Sequence, residues 1–173
     1  MKTAVIGYSG SGKSTLAAKL AQQQGLTALH MDTVFWLPGW KERDRAEMRC
    51  IVDAYLTAHD NWVIDGNYSK ILFERRMEEA DRIILMQFSP LACLWRAWKR
   101  YRRYKGSSRK SMAAGCPEKM DAEFVRWLLW KGRTKKSRDL LRDVRERYLQ
   151  KTVWIRNQRQ LDQFEKECGL CLI

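Results

Sequence analysis

Residues Gly7-Tyr8-Ser9-Gly10-Ser11-Gly12-Lys13-Ser14, followed by Thr15, fit the pattern G-x-x-x-x-G-K-[ST] in full. The pattern needs a strand before it and a helix after it. Lys2 to Ile6 reads as a short buried strand, and Lys13 to Gln24, with Leu16 and Leu20 four apart, reads as a helix. Between them the glycines let the backbone curl, so that successive N–H groups point inward. The helix N-terminus adds the positive end of its dipole. Such a loop suits a polyphosphate. Gly7, Ser9, Gly10, Ser11, Gly12, Lys13, Ser14 and Thr15 are therefore the expected nucleotide-binding residues. Lys13 reaches the β- and γ-phosphates and the Ser14 hydroxyl ligates a metal ion, which makes ATP and Mg²⁺ the expected ligands.

The rest of the chain alternates strands with helices, which predicts βαβ units and a parallel sheet. Strands are expected at Thr27 to Met31, Trp62 to Ile64, Arg82 to Phe88 and Thr152 to Ile155. Helices are expected at Arg45 to Ala58, Ser69 to Ala80 with Ser69 as cap, Leu91 to Tyr104, Asp121 to Lys131, Lys135 to Leu149 and Leu161 to Cys168. Trp36, Pro38, Gly39 and Trp40 mark a loop. The Ser-, Gly- and Pro-bearing stretch from Gly106 to Pro117 reads as a mobile loop, so residues 105–120 form a lid segment. A length of 173 residues fits one domain spanning the chain. No apolar run reaches the ~18 residues of a membrane span. No leader-like apolar segment follows Met1, and the expected location is the cytoplasm. The five cysteines, an odd number, fit reduced thiols. Cys168-x-x-Cys171 lacks the companion ligands of a zinc site.

Two acids stand where a loop of this kind needs a carboxylate. Asp65 closes the strand Trp62-Val63-Ile64, and Asp32 follows Ala28-Leu29-His30-Met31. Both should emerge at the carboxyl edge of the sheet, where open α/β folds bind ligands. Asp65 is assigned to Mg²⁺. Asp32 is assigned to the phosphoryl acceptor as base or hydroxyl ligand. His30 is expected to pack inside a strand, and neither it nor His59 has a partner set that suggests catalysis.

The charge is concentrated in one stretch. Trp95 to Lys151 holds 19 Lys and Arg against 6 Asp and Glu, a surplus equal to the net +13 of the whole chain. Arg96 and Arg100 share a helix face. Arg109 lies in the predicted lid, and Arg133 and Arg138 bracket the start of the next helix. Arginines stabilise the charge that spreads over a transferring phosphoryl group. Arg96 and Arg100 are therefore expected catalytic groups beside Lys13 and Asp32, with Arg109 and Arg138 as nucleotide ligands. Trp95, Trp98, Tyr101 and Tyr104 interleave with these cations at i, i+3 spacing. That spacing suits a core face. Basic residues among aromatics also bind nucleic acid by stacking and phosphate contact.

Four strings carry a resemblance: Leu29-His30-Met31-Asp32, Trp36-Leu37-Pro38-Gly39-Trp40, Trp62-Val63-Ile64-Asp65-Gly66-Asn67-Tyr68 and Gly115-Cys116-Pro117-Glu118-Lys119. With the glycine-rich loop they resemble the bacterial DNA topology modulation proteins, relatives of adenylate kinase among the nucleoside and nucleotide kinases. The resemblance implies a three-layer α/β/α fold with a five-stranded parallel sheet of order 2-3-1-4-5 and a hinged lid. It also implies Arg96 and Arg100 on ATP, Asp65 near Mg²⁺, and Arg76 as a recurring arginine before the fourth strand. Arg109-Lys110-Ser111-Met112 departs from the family's Arg-Pro-Asp-Met. Asn67-Tyr68 replaces the Pro-Arg of adenylate kinase, so AMP does not carry over as acceptor. The acceptor side is expected at Asp32, Trp36, Trp40, Asn67 and Arg76. The sequence thus predicts an ATP-dependent phosphotransferase acting on a nucleotide or small hydroxylated metabolite. The alternative is an ATP-dependent nucleic-acid-binding regulator using residues 95–151.

Overall fold

A computed structural model describes residues 1–170. Cys171, and with it the Cys168-x-x-Cys171 pairing, lies outside the described residues. The apolar runs form the expected parallel strands. β1 (Lys2–Gly7) is followed by α1 (Lys13–Gln23), β2 (Leu29–His30), α2 (Met31–Phe35), β3 (Trp36–Leu37), β4 (Lys41–Glu42), α3 (Arg45–Ala58) and β5 (Trp62–Asp65). Then come α4 (Phe73–Glu79), β6 (Arg82–Met86), α5 (Pro90–Tyr104), α6 (Ala122–Leu129), α7 (Lys135–Arg147), β7 (Thr152–Ile155) and α8 (Gln158–Glu167). β2, β5, β1, β6 and β7 lie side by side in that order, all parallel, and β3 pairs with β4 in a separate antiparallel hairpin. Helices accompany the sheet throughout, an arrangement consistent with three α/β/α layers.

Numbered over all seven strands this order reads 2-5-1-6-7 where 2-3-1-4-5 was expected, because seven strands form where five were counted. The two additional strands are the β3–β4 hairpin, which lies between the second and third strands of the sheet along the chain. The sequence predicted an irregular loop there. The hairpin reverses at Pro38-Gly39-Trp40, with Trp40 itself at φ 63°. Met31, expected at a strand end, instead starts α2 and is fully buried.

The core follows from strand composition. Ala4, Val5 and Ile6 of β1, Trp62, Val63 and Ile64 of β5, and Ile83 to Met86 of β6 are all buried, as expected for strands covered on both faces. α1 lays Leu16, Ala17, Leu20 and Ala21 on this sheet, and α3 buries Met48, Val52 and Leu56 at helical spacing. Most helix starts carry a side-chain cap: Asp44 before α3, Ser89 before α5, Asp121 before α6, Thr134 before α7 and Asn157 before α8. α4 departs from the expected start. Ser69 does not cap it, because Tyr68 to Ile71 forms a turn and the helix begins only after Leu72, at φ 44°.

Because the sheet strands are parallel, their carboxyl ends share one edge. Val5 and His30 flank Asp65 in register, and Gly7 lies beside Met86. β1 therefore delivers the glycine-rich loop next to the ends of β5 and β6. Gly7 sits at φ 137°, and a Cβ on it would lie 2.0 Å from the Met86 carbonyl oxygen. Gly7→Ala is expected to lower stability by about 3 kcal/mol, from backbone strain and the displaced strand. That corresponds to a fall in melting temperature of roughly 6–12 °C for a chain of this size, measurable by thermal denaturation followed by circular dichroism.

Candidate functional site

The loop between β1 and α1 is held from several sides. Tyr8 N–H donates to the Met86 carbonyl at 3.1 Å, and Gly7 N–H donates to Asn67 Oδ1 at 2.9 Å. The last glycine, Gly12, has φ 97°, and a Cβ there would come 2.6 Å from Arg96 Nη2. The backbone at Gly12 can therefore turn into α1 with the Arg96 guanidinium packed against it. No side chain caps α1 and no acid lies in its first turn, so its amide end carries no internal anion. Ser11 is buried with its Oγ unpaired. A buried hydroxyl without a partner is costly, and a ligand oxygen would satisfy it. The Ser9 hydroxyl accepts from Trp127 Nε1 of α6 at 3.2 Å, and Thr15 is exposed.

Lys13 Nζ donates to the Tyr8 carbonyl at 2.9 Å. The residue as a whole is half-exposed, but its ammonium is enclosed. Burial pulls the Lys13 pKa below its usual 10.5, the negative fields of Asp65 and Asp32 oppose that, and Arg100 adds to it. Both predicted acids thus act on Lys13. Asp65 is buried and uses both oxygens: Oδ2 accepts from the Ser14 hydroxyl at 2.7 Å, and Oδ1 meets His30 Nδ1 at 2.5 Å. His30, expected to pack without a role, instead completes a Ser14–Asp65–His30 chain. Asp32 Oδ1 accepts from the Tyr68 hydroxyl at 2.7 Å, and burial with the Asp32 charge pushes the Tyr68 pKa up, keeping the phenol protonated.

The donor set fits a hard cation. Ser14 and Asp65 offer hydroxyl and carboxylate oxygens, and Mg²⁺ is held by few protein oxygens together with phosphates and waters. Among the described residues no cluster of three or more His, Cys, Asp or Glu forms a protein-only metal cage.

Several predicted residues lie elsewhere than expected. Arg76 is buried, and its guanidinium donates to the carbonyls of Gly66 at 3.0 Å, Asn67 at 2.9 Å and Tyr68 at 3.3 Å, with Nε unpaired. It buttresses the turn after β5 rather than facing a substrate, and burial pulls its pKa down to about 10. Asn67 likewise turns its oxygen to the Gly7 amide. Arg138 is exposed, donates to the Arg133 carbonyl, and lines a surface groove with Gln87, Lys135, Asp139, Arg142 and Arg145. Arg133 reaches the loop instead. Its guanidinium lies 4.0 Å from the Tyr8 ring centroid and donates to the Phe88 carbonyl and Cys93 Sγ.

Trp36 and Trp40 line one side in a continuous aromatic run. Tyr68 touches Phe35, Phe35 touches Trp36, and Trp36 touches Trp40, with ring centroids 5.2, 4.6 and 5.3 Å apart. Arg96 crosses to Gln158 and lies over the Phe88 ring. Arg100 and Arg109 both bond Glu118, an acid of the Gly115-Cys116-Pro117-Glu118-Lys119 string with no role expected from sequence. It was visible as the single acid between Lys105 and Met120. The segment 105–120 is docked rather than free-standing: Gly39 N–H donates to the Gly115 carbonyl at 3.0 Å, and Cys116 Sγ donates to the Leu37 carbonyl at 3.2 Å.

The α5 aromatics do not form the expected core face. Trp95 is 54% exposed and Trp98 37%, whereas Cys93 and Ala97 are the buried residues of α5. The two indoles stack at 4.9 Å, with Lys99 over Trp95 and Arg102 over Trp98.

The enclosed Lys13 ammonium gives a stability prediction. A lysine whose folded pKa is lowered binds fewer protons folded than unfolded between that lowered value and 10.5, so stability rises with pH across that interval. At neutral pH its charge burdens the fold. Lys13→Met is expected to melt at least ~2 °C above the wild type at pH 7 and to flatten the rise in stability at alkaline pH, as read by calorimetry.

Comparison with known proteins bears on the fold. No family model matches the chain. Over 63 residues it is 35% identical to the uncharacterized protein YqaC of Bacillus subtilis (strain 168), a match covering 36% of this chain and 35% of that protein. The chain thus spans about a third of the length of that curated relative. The crystal structure of TT1252 from Thermus thermophilus superposes with a TM-score of 0.54 at 14% identity, covering 98% of this chain and 96% of that one. That likeness shows a shared overall fold.

Proposed function

We propose that this protein is an ATP-dependent phosphotransferase that passes the γ-phosphoryl group to a nucleotide or small hydroxylated metabolite. The observation that carries the reading is the 2.7 Å bond from the Ser14 hydroxyl to buried Asp65, at the start of a helix reached through a full G-x-x-x-x-G-K-[ST] loop. In this reading the loop amides and Lys13 hold the polyphosphate. Ser14 and Asp65 would hold Mg²⁺, which when bound neutralises phosphate charge. Arg96 packs beside the loop, and Arg100 and Arg109 face the charge that develops on the transferred group. Asp32 keeps one oxygen on Tyr68 and offers the other to an acceptor hydroxyl as base. Trp36 and Trp40 wall the acceptor side. The four quoted strings favour the DNA topology modulation family, and a reducing cytoplasm suits the five cysteines.

A specific observation supports a second reading, nucleic-acid binding. The exposed Trp95–Trp98 stack, flanked by Lys99 and Arg102, offers aromatic faces beside cations.

The first reading predicts that Lys13→Met weakens Mg·ATP binding by at least ~100-fold in titration calorimetry. It also predicts that Asp32→Asn leaves the ATP dissociation constant within about 3-fold while ATP turnover falls ~100-fold. ATP affinity unchanged in the lysine variant contradicts it. The second reading predicts a gel-shift complex with a single-stranded oligonucleotide that weakens steeply between 50 and 200 mM salt. That complex should be lost in a Trp95→Ala/Trp98→Ala variant. Absence of a complex at the lower salt removes this reading and leaves the first standing.

A further inference from the structure

Glu118 stands between two arginines that the chain brings from different places. Its side chain is only 6% exposed. Oε1 accepts from Arg100 Nε at 2.8 Å and Nη2 at 2.5 Å, which ties Glu118 to α5. Oε2 accepts from Arg109 Nε at 2.8 Å, which ties it to the segment between α5 and α6. Two half-buried guanidiniums this close repel one another, and a single carboxylate between them holds both. Arg100 in turn acts electrostatically on Lys13 and feels Asp32, so the fork borders the phosphate and acceptor groups.

The same short stretch is fastened to the aromatic hairpin. Gly115 accepts from the Gly39 amide, the Cys116 thiol donates to the Leu37 carbonyl, and Lys119 Nζ lies 4.6 Å from the Trp40 ring centroid. The base of the segment is closed as well, since Glu118 N–H donates to the Ser107 carbonyl at 3.0 Å. Five consecutive residues, Gly115 to Lys119, therefore join the hairpin carrying Trp36 and Trp40 to the arginine pair.

We propose that Glu118 is a positioning residue that delivers Arg100 and Arg109 as one unit to the transferring phosphoryl group, and that Gly115–Lys119 makes this delivery follow the hairpin on the acceptor side. The inference rests on the phosphotransferase reading. Glu118 touches no substrate in this scheme. Its carboxylate sets where the two guanidiniums sit, so its loss acts on the reaction step more than on nucleotide binding.

The test compares the wild type, Glu118→Gln and Glu118→Asp in the full chain, using Mg·ATP as the probe. ATP hydrolysis without added acceptor gives turnover, titration calorimetry gives affinity, and limited trypsin digestion with mass spectrometry reports cleavage after Arg109. For Glu118→Gln the expected results are turnover down about 100-fold, as for a misplaced catalytic group, and ATP affinity within about 3-fold. Cleavage after Arg109 should be about 10-fold faster as the segment loosens. Glu118→Asp, which keeps the charge, should recover at least a tenth of the lost turnover. Unchanged turnover in Glu118→Gln overturns the inference while leaving the phosphotransferase reading intact. So does a fall in turnover matched by an equal loss of ATP affinity. A wild type that binds and hydrolyses no ATP removes both together.

Discussion

At the carboxyl end of β5, the buried carboxylate of Asp65 has to be paired, since an isolated charge taken out of water is strongly unfavourable. It pairs with Ser14 at the start of α1 and with His30 at the end of β2. One acid thus joins the first helix of the loop motif to two neighbouring strands. The residues after it extend the same brace: Gly66 and Asn67 lend their carbonyls to Arg76, Asn67 bonds the Gly7 amide, and Tyr68 bonds Asp32. Four consecutive residues therefore hold the glycine-rich loop from below and fix the second acid beside it. Displacing Asp65 would loosen the loop, α1 and Asp32 together.

Around that brace the cations separate into two groups. Arg96 packs against Gly12, Arg133 lies over the Tyr8 ring, and Arg100 acts on Lys13, with Arg109 joined to Arg100 through Glu118. Lys135, Arg138, Arg142 and Arg145 line an outer groove along α7. The surplus of positive charge that looked like a single feature along the chain is thus divided between a set beside the loop and a set on the outer groove.

How much of this was legible in the sequence depended on distance along the chain. The loop was legible because strand, glycines, lysine and helix are contiguous, and Asp65 because an acid ending an apolar strand must emerge at the sheet edge; Asp32 sits two residues past β2, inside α2. The roles of Asn67 and Arg76 were not legible. They bond backbone groups brought near only by folding: Gly7 is 60 residues from Asn67, and Arg76 reaches back over a turn whose shape the sequence does not announce. The Trp95 and Trp98 spacing showed correctly that they share a side of the helix, but periodicity does not say which side faces the core. The small residues Cys93 and Ala97 took that place, because a helix packed close against the loop has room only for short side chains there. Glu118 could have been singled out as a lone acid in a basic segment. What it holds depends on Arg100 and Arg109 converging in space.

The central claim is that the backbone from Gly10 to Thr15, with Lys13, wraps a polyphosphate. The most direct measurement is a two-dimensional amide NMR titration of the isotopically labelled protein with Mg·ADP. The account predicts that the largest shifts fall on the amides of Gly10, Ser11, Gly12, Lys13, Ser14 and Thr15, saturating together with one dissociation constant. Shifts confined to the outer face of α7, with the loop amides unmoved at saturating nucleotide, would contradict it.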